Sequence, residues 1–423
     1  MIIRARIVIT MDGPPIENGA VAISENQIID VGTFPKVSAR HRGKKIVDLG
    51  EKALLPGFIN AHCHLDYTCL RGKIPPQKTF TDWIRAINAE KAKLSREDYL
   101  ASINEGFAEA KRFGTTTIAN LTAFPELISQ IQAPVRTWWF AELIDVRSPK
   151  RANEIIDLAI EWLKSAPNWG LAPHAPFTAS RDLYWRCEEV ARREKVLLTT
   201  HLAESREEMS MFRDASGPLH EFMREIAWDL SDCGNQTPLG RFLETVRGSS
   251  TAKAFEARND KKANGDGQEW IVAHLNELEE SDFDLLEELT SKFHVVHSPR
   301  SHNYFGHSPF PFKKLRVLGF NICLGTDSLA SNESLSLFAE MRTFQRNEPG
   351  ISPDKILEMV TVNAAQALHQ GNALGQIRAG FRADLIAVPR SGDGNIFEQI
   401  VAFDEPVDWM MVNGRRAAAN LPQ

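Results

Sequence analysis

Among 423 residues there are only five cysteines, and no two of them form a C-x-x-C pair. Cys63, Cys69, Cys187, Cys233 and Cys323 are odd in number and scattered, which argues against a disulfide framework and fits free thiols in a reducing cytosol. Positive charge is also in deficit. Against 55 Asp and Glu stand 49 Lys and Arg, a net charge of −6, so neither a nucleic-acid footprint nor a polybasic membrane segment is present. No apolar run reaches the ~18 residues that a membrane span needs. The opening "MIIRARIVITMDGPP" lacks the long apolar stretch and small-residue cleavage site of a secretory signal. The expectation is a soluble, cytoplasmic protein whose partner is a small molecule, with self-association left open.

What is present is ordinary globular composition, 43% apolar and 25% charged, in a chain long enough for one large domain and a smaller one. Both ends read as short strands closed by turn dipeptides: "ARIVITMDG", "GAVAISENQIIDVG" and "KIVDLGEKALLPGF" at the start, "ADLIAVP" and "VDWMMVNGRR" at the end. Between them strand and helix patterns alternate, from "LPGFINAHCH" through "GTTTIANL", "VRTWWFAELID", "WGLAPHA", "VLLTTH", "EWIVAH" and "FHVVHSP" to "FNICLGTDS". Eight such units predict an α/β fold, a TIM-like (β/α)8 barrel. The boundaries expected are 56–377 for the barrel, with 1–55 and 378–423 meeting as a small β-sandwich. Residues 205–268 exceed what one crossover helix needs and end in the polar "SSTAKAFEARNDKKANGDGQ". That insertion reads as decoration or as a cover over the barrel mouth.

A β/α barrel carries its site at the C-terminal ends of the strands. The ligand-type residues fall there in register. His62 and His64, two apart and so on one side of a strand, end the first; His174, His201, His274 and Asp327 end later ones. A lone histidine at a strand end is more often structural, but five histidines and an aspartate at one rim point to chemistry. Three neutral imidazoles and a carboxylate suit Zn²⁺ or a similar divalent metal, which lowers the pKa of a bound water towards ~7. Glu204, in "HLAES", is placed to shuttle protons beside the metal without binding it, and His274 to polarise the atom under attack. Arg71 in "LRG" and Trp83 in "FTDWI" follow the first strand and are candidates to line the pocket.

The succession "PGFINAHCHLD", "HLAES", "VAH", "HSPRSH" and "LGTDSLASN" resembles the motifs of the amidohydrolase superfamily. The nearest branch is that of cytosine deaminase, the methylthioadenosine/S-adenosylhomocysteine deaminases, aminodeoxyfutalosine deaminase and the triazine chlorohydrolases. The resemblance implies metal binding by His62, His64, His201 and Asp327, with Glu204 as proton shuttle. It makes His274 an electrophilic helper and Asp327 a proton acceptor from the attacking water. "APHAPFT" is similar to a segment whose histidine faces substrate in nucleoside-type members, which implies that His174 contacts substrate. Where relatives often read "HCPxSN" this chain has Ser298 and His302. No lysine stands in "VRTWWFAEL" or "GLAPHAPFT" to bridge a metal pair, so one ion per chain is expected, Zn²⁺ before Fe²⁺ or Mn²⁺.

The function these readings imply is deamination of an amino-substituted N-heterocycle, with release of ammonia. The adenine of a 5′-modified adenosine leads: methylthioadenosine, S-adenosylhomocysteine or aminodeoxyfutalosine. The alternatives are a free-base deaminase of cytosine or guanine type, a chlorohydrolase or cyclic-amide hydrolase, and, remotely, an inactive binding module. The unrelated zinc-deaminase signature, H-x-E with P-C-x-x-C, is absent from the sequence.

Overall fold

The computed structural model describes residues 1–247 and 270–417. Its first five strands, β1 (Ile2–Val8), β2 (Ile16–Ser24), β3 (Gln27–Thr33), β4 (Ile46–Asp48) and β5 (Lys52–Pro56), belong to one mixed sheet. The next nine, β6 (Phe58–His64), β7 (Thr115–Thr122), β8 (Arg136–Leu143), β9 (Trp169–Pro173), β10 (Leu197–Leu202), β11 (Trp270–His274), β12 (His294–His297), β13 (Asn321–Leu324) and β14 (Asp327–Ser328), form a second, all-parallel sheet. The chain ends in β15 (Leu385–Pro389), β16 (Trp409–Val412) and β17 (Arg415–Arg416), which return to the first sheet in the order β17-β16-β15-β5-β1-β2-β3. Only there can the two ends of the chain bury each other's faces.

The eight strands β6 to β13 each match one of the eight strand patterns and pair in chain order. Closure comes from β14. The chain runs on from β13 through Gly325 and Thr326, and Asp327 and Ser328 then pair in parallel with Cys63 and His64 of β6. Strands buried on both faces read as near-continuous apolar or Thr-rich runs, as in "TTTIANLT" of β7, buried throughout. Helices such as Ala152–Leu163 and Arg181–Glu194 cover the outside.

Period-2 alternation shows in β5 and β15: Leu54 and Leu385 pack into a cluster of the terminal sheet's own with Ile3 and Val21, while their neighbours Leu55 and Ile386 join the barrel core. The "VNGRR" turn is a tight one: Asn413 and Gly414 both have positive φ, +51° and +75°, as a type I′ hairpin requires. A Cβ on Gly414 would lie 2.0 Å from the Glu25 carbonyl oxygen, so only glycine fits.

The described part of the insertion forms three helices, Arg206–Asp214, Gly217–Ile226 and Pro238–Arg247. The insertion's polar end, 249–268, lies outside the described residues. After β7 the chain makes a 3-10 turn over Pro125–Gln130 where a full crossover helix would be usual. Among the described residues no helix is long and apolar enough to cross a membrane.

Candidate metal centre and active site

β6 brings His62 and His64 to the rim on one face, two residues apart. Asn60, on the same face, donates from Nδ2 to Thr326 Oγ1 at 2.8 Å and accepts from Thr326 N at 3.2 Å. This ties β6 to the turn that delivers Asp327. His201 sits on β10 and His274 ends β11. The backbone leaves these strands through left-handed conformations at Ala203 (φ +49°), His274 (+75°), Leu275 (+54°) and Asp327 (+55°). Such non-glycine positions cost roughly 1–3 kcal/mol each and concentrate at working sites. Here the turns are fixed by Leu275 N on the Leu202 carbonyl and Asn276 N on the Ala203 carbonyl, both at 2.9 Å.

The side chains converge. Nε2 of His64 and Nε2 of His201 stand 3.2 Å apart. His201 Nδ1 faces the His174 carbonyl at 2.8 Å, which places its proton there and leaves Nε2 as a lone pair. Asp327 Oδ1 lies 3.8 Å from His62 Nε2 and 3.9 Å from His64 Nε2. Both ring nitrogens of His62 are buried without a hydrogen-bond partner among the described residues. An orphaned buried polar group costs about 1–3 kcal/mol, and a divalent cation would relieve it. The donor set therefore fits zinc or a similar first-row metal: imidazole lone pairs plus a carboxylate, aimed at one point.

Electrostatics keep the donors in metal-binding form. Burial, then His201, pushes His62 down to about 3. Burial also holds His64 and His274 well below the ordinary imidazole value, and His201 below it. For Asp327 burial pushes the carboxyl up, but His274, His62, His64 and the Ser301 hydroxyl outweigh it and keep it ionised. Ser301 Oγ donates to Asp327 Oδ2 at 2.7 Å.

Glu204 has the opposite character. Its Oε1 is 3.6 Å from His274 Nε2, and burial, reinforced by Asp327, Glu208 and Glu142, raises its carboxyl well above the usual range. A neighbouring helix start holds it in place. Ser205 Oγ accepts from Glu208 N at 3.1 Å, and Glu208 Oε2 accepts from Glu204 N at 2.8 Å. Glu204, His274 and Asp327 lie with ligand atoms within 4.8 Å of one another.

His174, one residue past β9, has Nδ1 2.7 Å from Thr178 Oγ1, and its ring is 4.8 Å from that of His201. Glu142 groups with it, a residue the sequence reading passed over. The carboxylate is one residue from the end of β8, with Oε1 3.8 Å from His64 Nδ1. Its signal was there: a single acid in the otherwise apolar "WWFAEL". Tyr67, stacked on His64 at 5.8 Å, was also missed. Trp83 lines a cleft of about 160 Å³ beside Ser205. Arg71 does not join the cluster: it pairs with Glu109 on the helix Arg96–Arg112, at 41% side-chain exposure. His297, at the end of β12, stacks flat on Phe310 with centroids 4.0 Å apart. His302 bonds through Nε2 to the Ser308 carbonyl at 2.8 Å.

Gly325 permits the closest approach in the site. A Cβ there would lie 2.7 Å from the His62 carbonyl oxygen and 2.9 Å from His62 Cβ. Gly325→Ala should therefore displace β6 and cost about 1–3 kcal/mol. Thermal unfolding and metal content, measured together, should both fall; an unchanged melting temperature would contradict the crowding.

The model of the Amidohydrolase family matches residues 53–417. A methylthioadenosine/S-adenosylhomocysteine deaminase of Syntrophobacter fumaroxidans is 30% identical over 394 residues, covering 89% of this chain and 81% of the relative. Among solved structures, Helicobacter pylori aminofutalosine deaminase in complex with methylthio-coformycin superposes with a TM-score of 0.83 at 19% identity, covering 99% of this chain and 100% of that one. A zinc-bound adenosine deaminase of Xanthomonas campestris gives 0.77 at 24% identity, with 98% and 92% covered. At those identities the two structures establish the fold. With the family model matched across most of its length, the chain belongs to the amidohydrolase family, hydrolases of carbon–nitrogen bonds.

Proposed function

We propose that this protein is a metal-dependent aminohydrolase that replaces the 6-amino group of a 5′-modified adenosine by oxygen and releases ammonia. The observation that carries the reading is the 3.2 Å approach of His64 and His201 Nε2, with the raised carboxyl of Glu204 against His274 beside it. His62, His64, His201 and Asp327 would hold one divalent ion, zinc being the best fit to three imidazoles and a carboxylate. Bound there, such an ion supplies Lewis acidity that makes water a nucleophile near neutral pH.

The chain's own groups handle the protons. Net, water adds its oxygen to ring carbon 6, the exocyclic nitrogen leaves as ammonia, and both water protons are accounted for. Glu204 is held neutral by burial, so it can deliver a proton to the ring nitrogen next to the carbon under attack. Asp327 is ionised, and its Oδ1, the oxygen not held by Ser301, can accept a proton from the attacking water. His274, neutral, offers Nε2 to the oxygen as it adds. The proton taken from water then passes from Asp327 to the departing nitrogen, and the proton left on the added oxygen returns to Glu204 as the C–N bond breaks and the carbonyl forms. His174, braced by Thr178, would contact the sugar beyond the ring.

The choice of an adenosine is supported by the "PHAPFT" segment and by the methylthioadenosine deaminase relative. The test is a panel of 5′-modified adenosines beside cytosine, guanine and a chlorotriazine, followed by loss of adenine absorbance and by ammonia release. Turnover confined to the nucleosides is expected, with His174→Ala raising KM for them. Efficient turnover of a free base or triazine, with all adenosines inert, would overturn the substrate class.

A further inference from the structure

We infer that Asn332 and Glu340 are positioning residues for Asp327: a buried amide–carboxylate pair that holds the aspartate's turn and the helix of Ser301 in register with each other. The inference rests on the reading of Asp327 as metal ligand and proton acceptor above.

A single acid in an apolar helix raises the question. The helix Leu337–Asn347 carries Glu340 among Leu337, Phe338, Met341 and Phe344, all buried, and Glu340 itself is 0% exposed. A carboxyl group in such surroundings needs partners, because a buried polar group without them costs stability. Both of its oxygens have one. Oε1 accepts from Asn332 Nδ2 at 2.7 Å, and Oε2 from the backbone N of Arg300 at 3.0 Å. Each of these partners leads to Asp327.

The first arm runs through Asn332. Its Nδ2 also donates to the Thr326 carbonyl at 2.8 Å, while its Oδ1 accepts from Glu333 N at 2.7 Å and Ser334 N at 3.3 Å. Both protons and both lone pairs of the amide are engaged, so its orientation is fixed. The carbonyl it holds belongs to the peptide that enters Asp327, where the backbone turns left-handed at φ +55°. A non-glycine residue keeps that conformation only where its surroundings impose it.

The second arm runs through Arg300. Its N–H sits in the first turn of the helix Pro299–Phe305, and the next residue is Ser301, whose Oγ donates to Asp327 Oδ2 at 2.7 Å. Glu340 therefore acts on Asp327 through others. It ties together the two segments that set where the aspartate points and which of its oxygens is left free. Glutamine at this position would keep the shape but lose one acceptor, setting N–H against N–H on one arm.

The experiment measures metal affinity by competition with a chelator, well below the melting temperature, beside kcat and KM on metal-saturated enzyme. The variants are Glu340→Gln, Asn332→Ala, Asp327→Ala and Ile3→Val. Ile3 is buried in the terminal sheet's own cluster, so its trimming lowers stability away from the site. Glu340→Gln and Asn332→Ala should each weaken metal binding ~10–100-fold, the range for a residue that supports a ligand. Both should lower kcat at least ~10-fold through the misplaced carboxylate, with KM within about twofold of native. Ile3→Val should lower the melting temperature and leave metal affinity and kcat as they were. Native metal affinity and native kcat in Glu340→Gln, whatever its melting temperature, would overturn the inference, and so would a loss carried by KM alone. Should Glu340→Gln not fold, Asn332→Ala, which leaves the helix unchanged, decides on the same readouts. Full metal retention in Asp327→Ala would instead overturn the site reading on which the pair rests.

Discussion

Glu204→Gln is expected to keep its metal and to lose at least ~10²-fold in kcat, about 2.7 kcal/mol of transition-state stabilisation. The amide preserves the shape of the side chain that faces His274 at 3.6 Å but can neither give nor take a proton at the ring nitrogen. Because Glu204 N is held by Glu208 Oε2, the backbone is not expected to shift. Metal content and thermal stability therefore separate chemistry from structure in this variant. A Glu204→Gln enzyme near the native rate would reduce Glu204 to a bystander. Loss of metal along with activity would instead make it a ligand.

The second large effect concerns the donor set. His201→Ala and Asp327→Ala should each lose the metal and, with it, activity. Removing an outer partner of a ligand typically costs ~10–100-fold in metal affinity, and removing the ligand itself should exceed that. Ser301→Ala, which takes away only the 2.7 Å bond to Asp327 Oδ2, supplies the comparison and should fall in the milder range. Elemental analysis of the native protein should find one equivalent per chain. Two equivalents, both needed for turnover, would contradict the mononuclear site, and full metal retention in Asp327→Ala would remove that residue from the ligand set.

The sequence made the rim legible because barrel strands are unusually simple text. Each is an apolar or Thr-rich run, and a histidine or aspartate at its end has nowhere to face but the mouth. That logic found His62, His64, His201, His274 and Asp327 at one point. It failed where direction depends on the fold beyond the strand. Arg71 follows the same strand by seven residues, yet the 3-10 turn Leu65–Leu70 carries it round to Glu109, away from the cluster. Glu142 was overlooked for the converse reason: a lone acid inside a strand looks like an accident until its neighbours β7 and β9 are in place. The Phe80, Trp83 and Phe305 walls of the cleft beside Ser205 were equally hidden. They come from segments more than 200 residues apart, and no local pattern announces that meeting. The helix Phe34–Arg40 between the terminal strands had its own signal in Pro35 at the first turn, which was not read.

The most direct measurement is a single-substrate incubation in oxygen-labelled water, with the purine product read by mass spectrometry and ammonia counted in parallel. Metal-loaded enzyme acting on S-adenosylhomocysteine or methylthioadenosine should put one labelled oxygen on carbon 6 for each ammonia released, and Glu204→Gln should do so far more slowly. Ammonia without label in the product, label without ammonia, or an intact adenine after exhaustive incubation with metal in place would contradict hydrolytic deamination by this site.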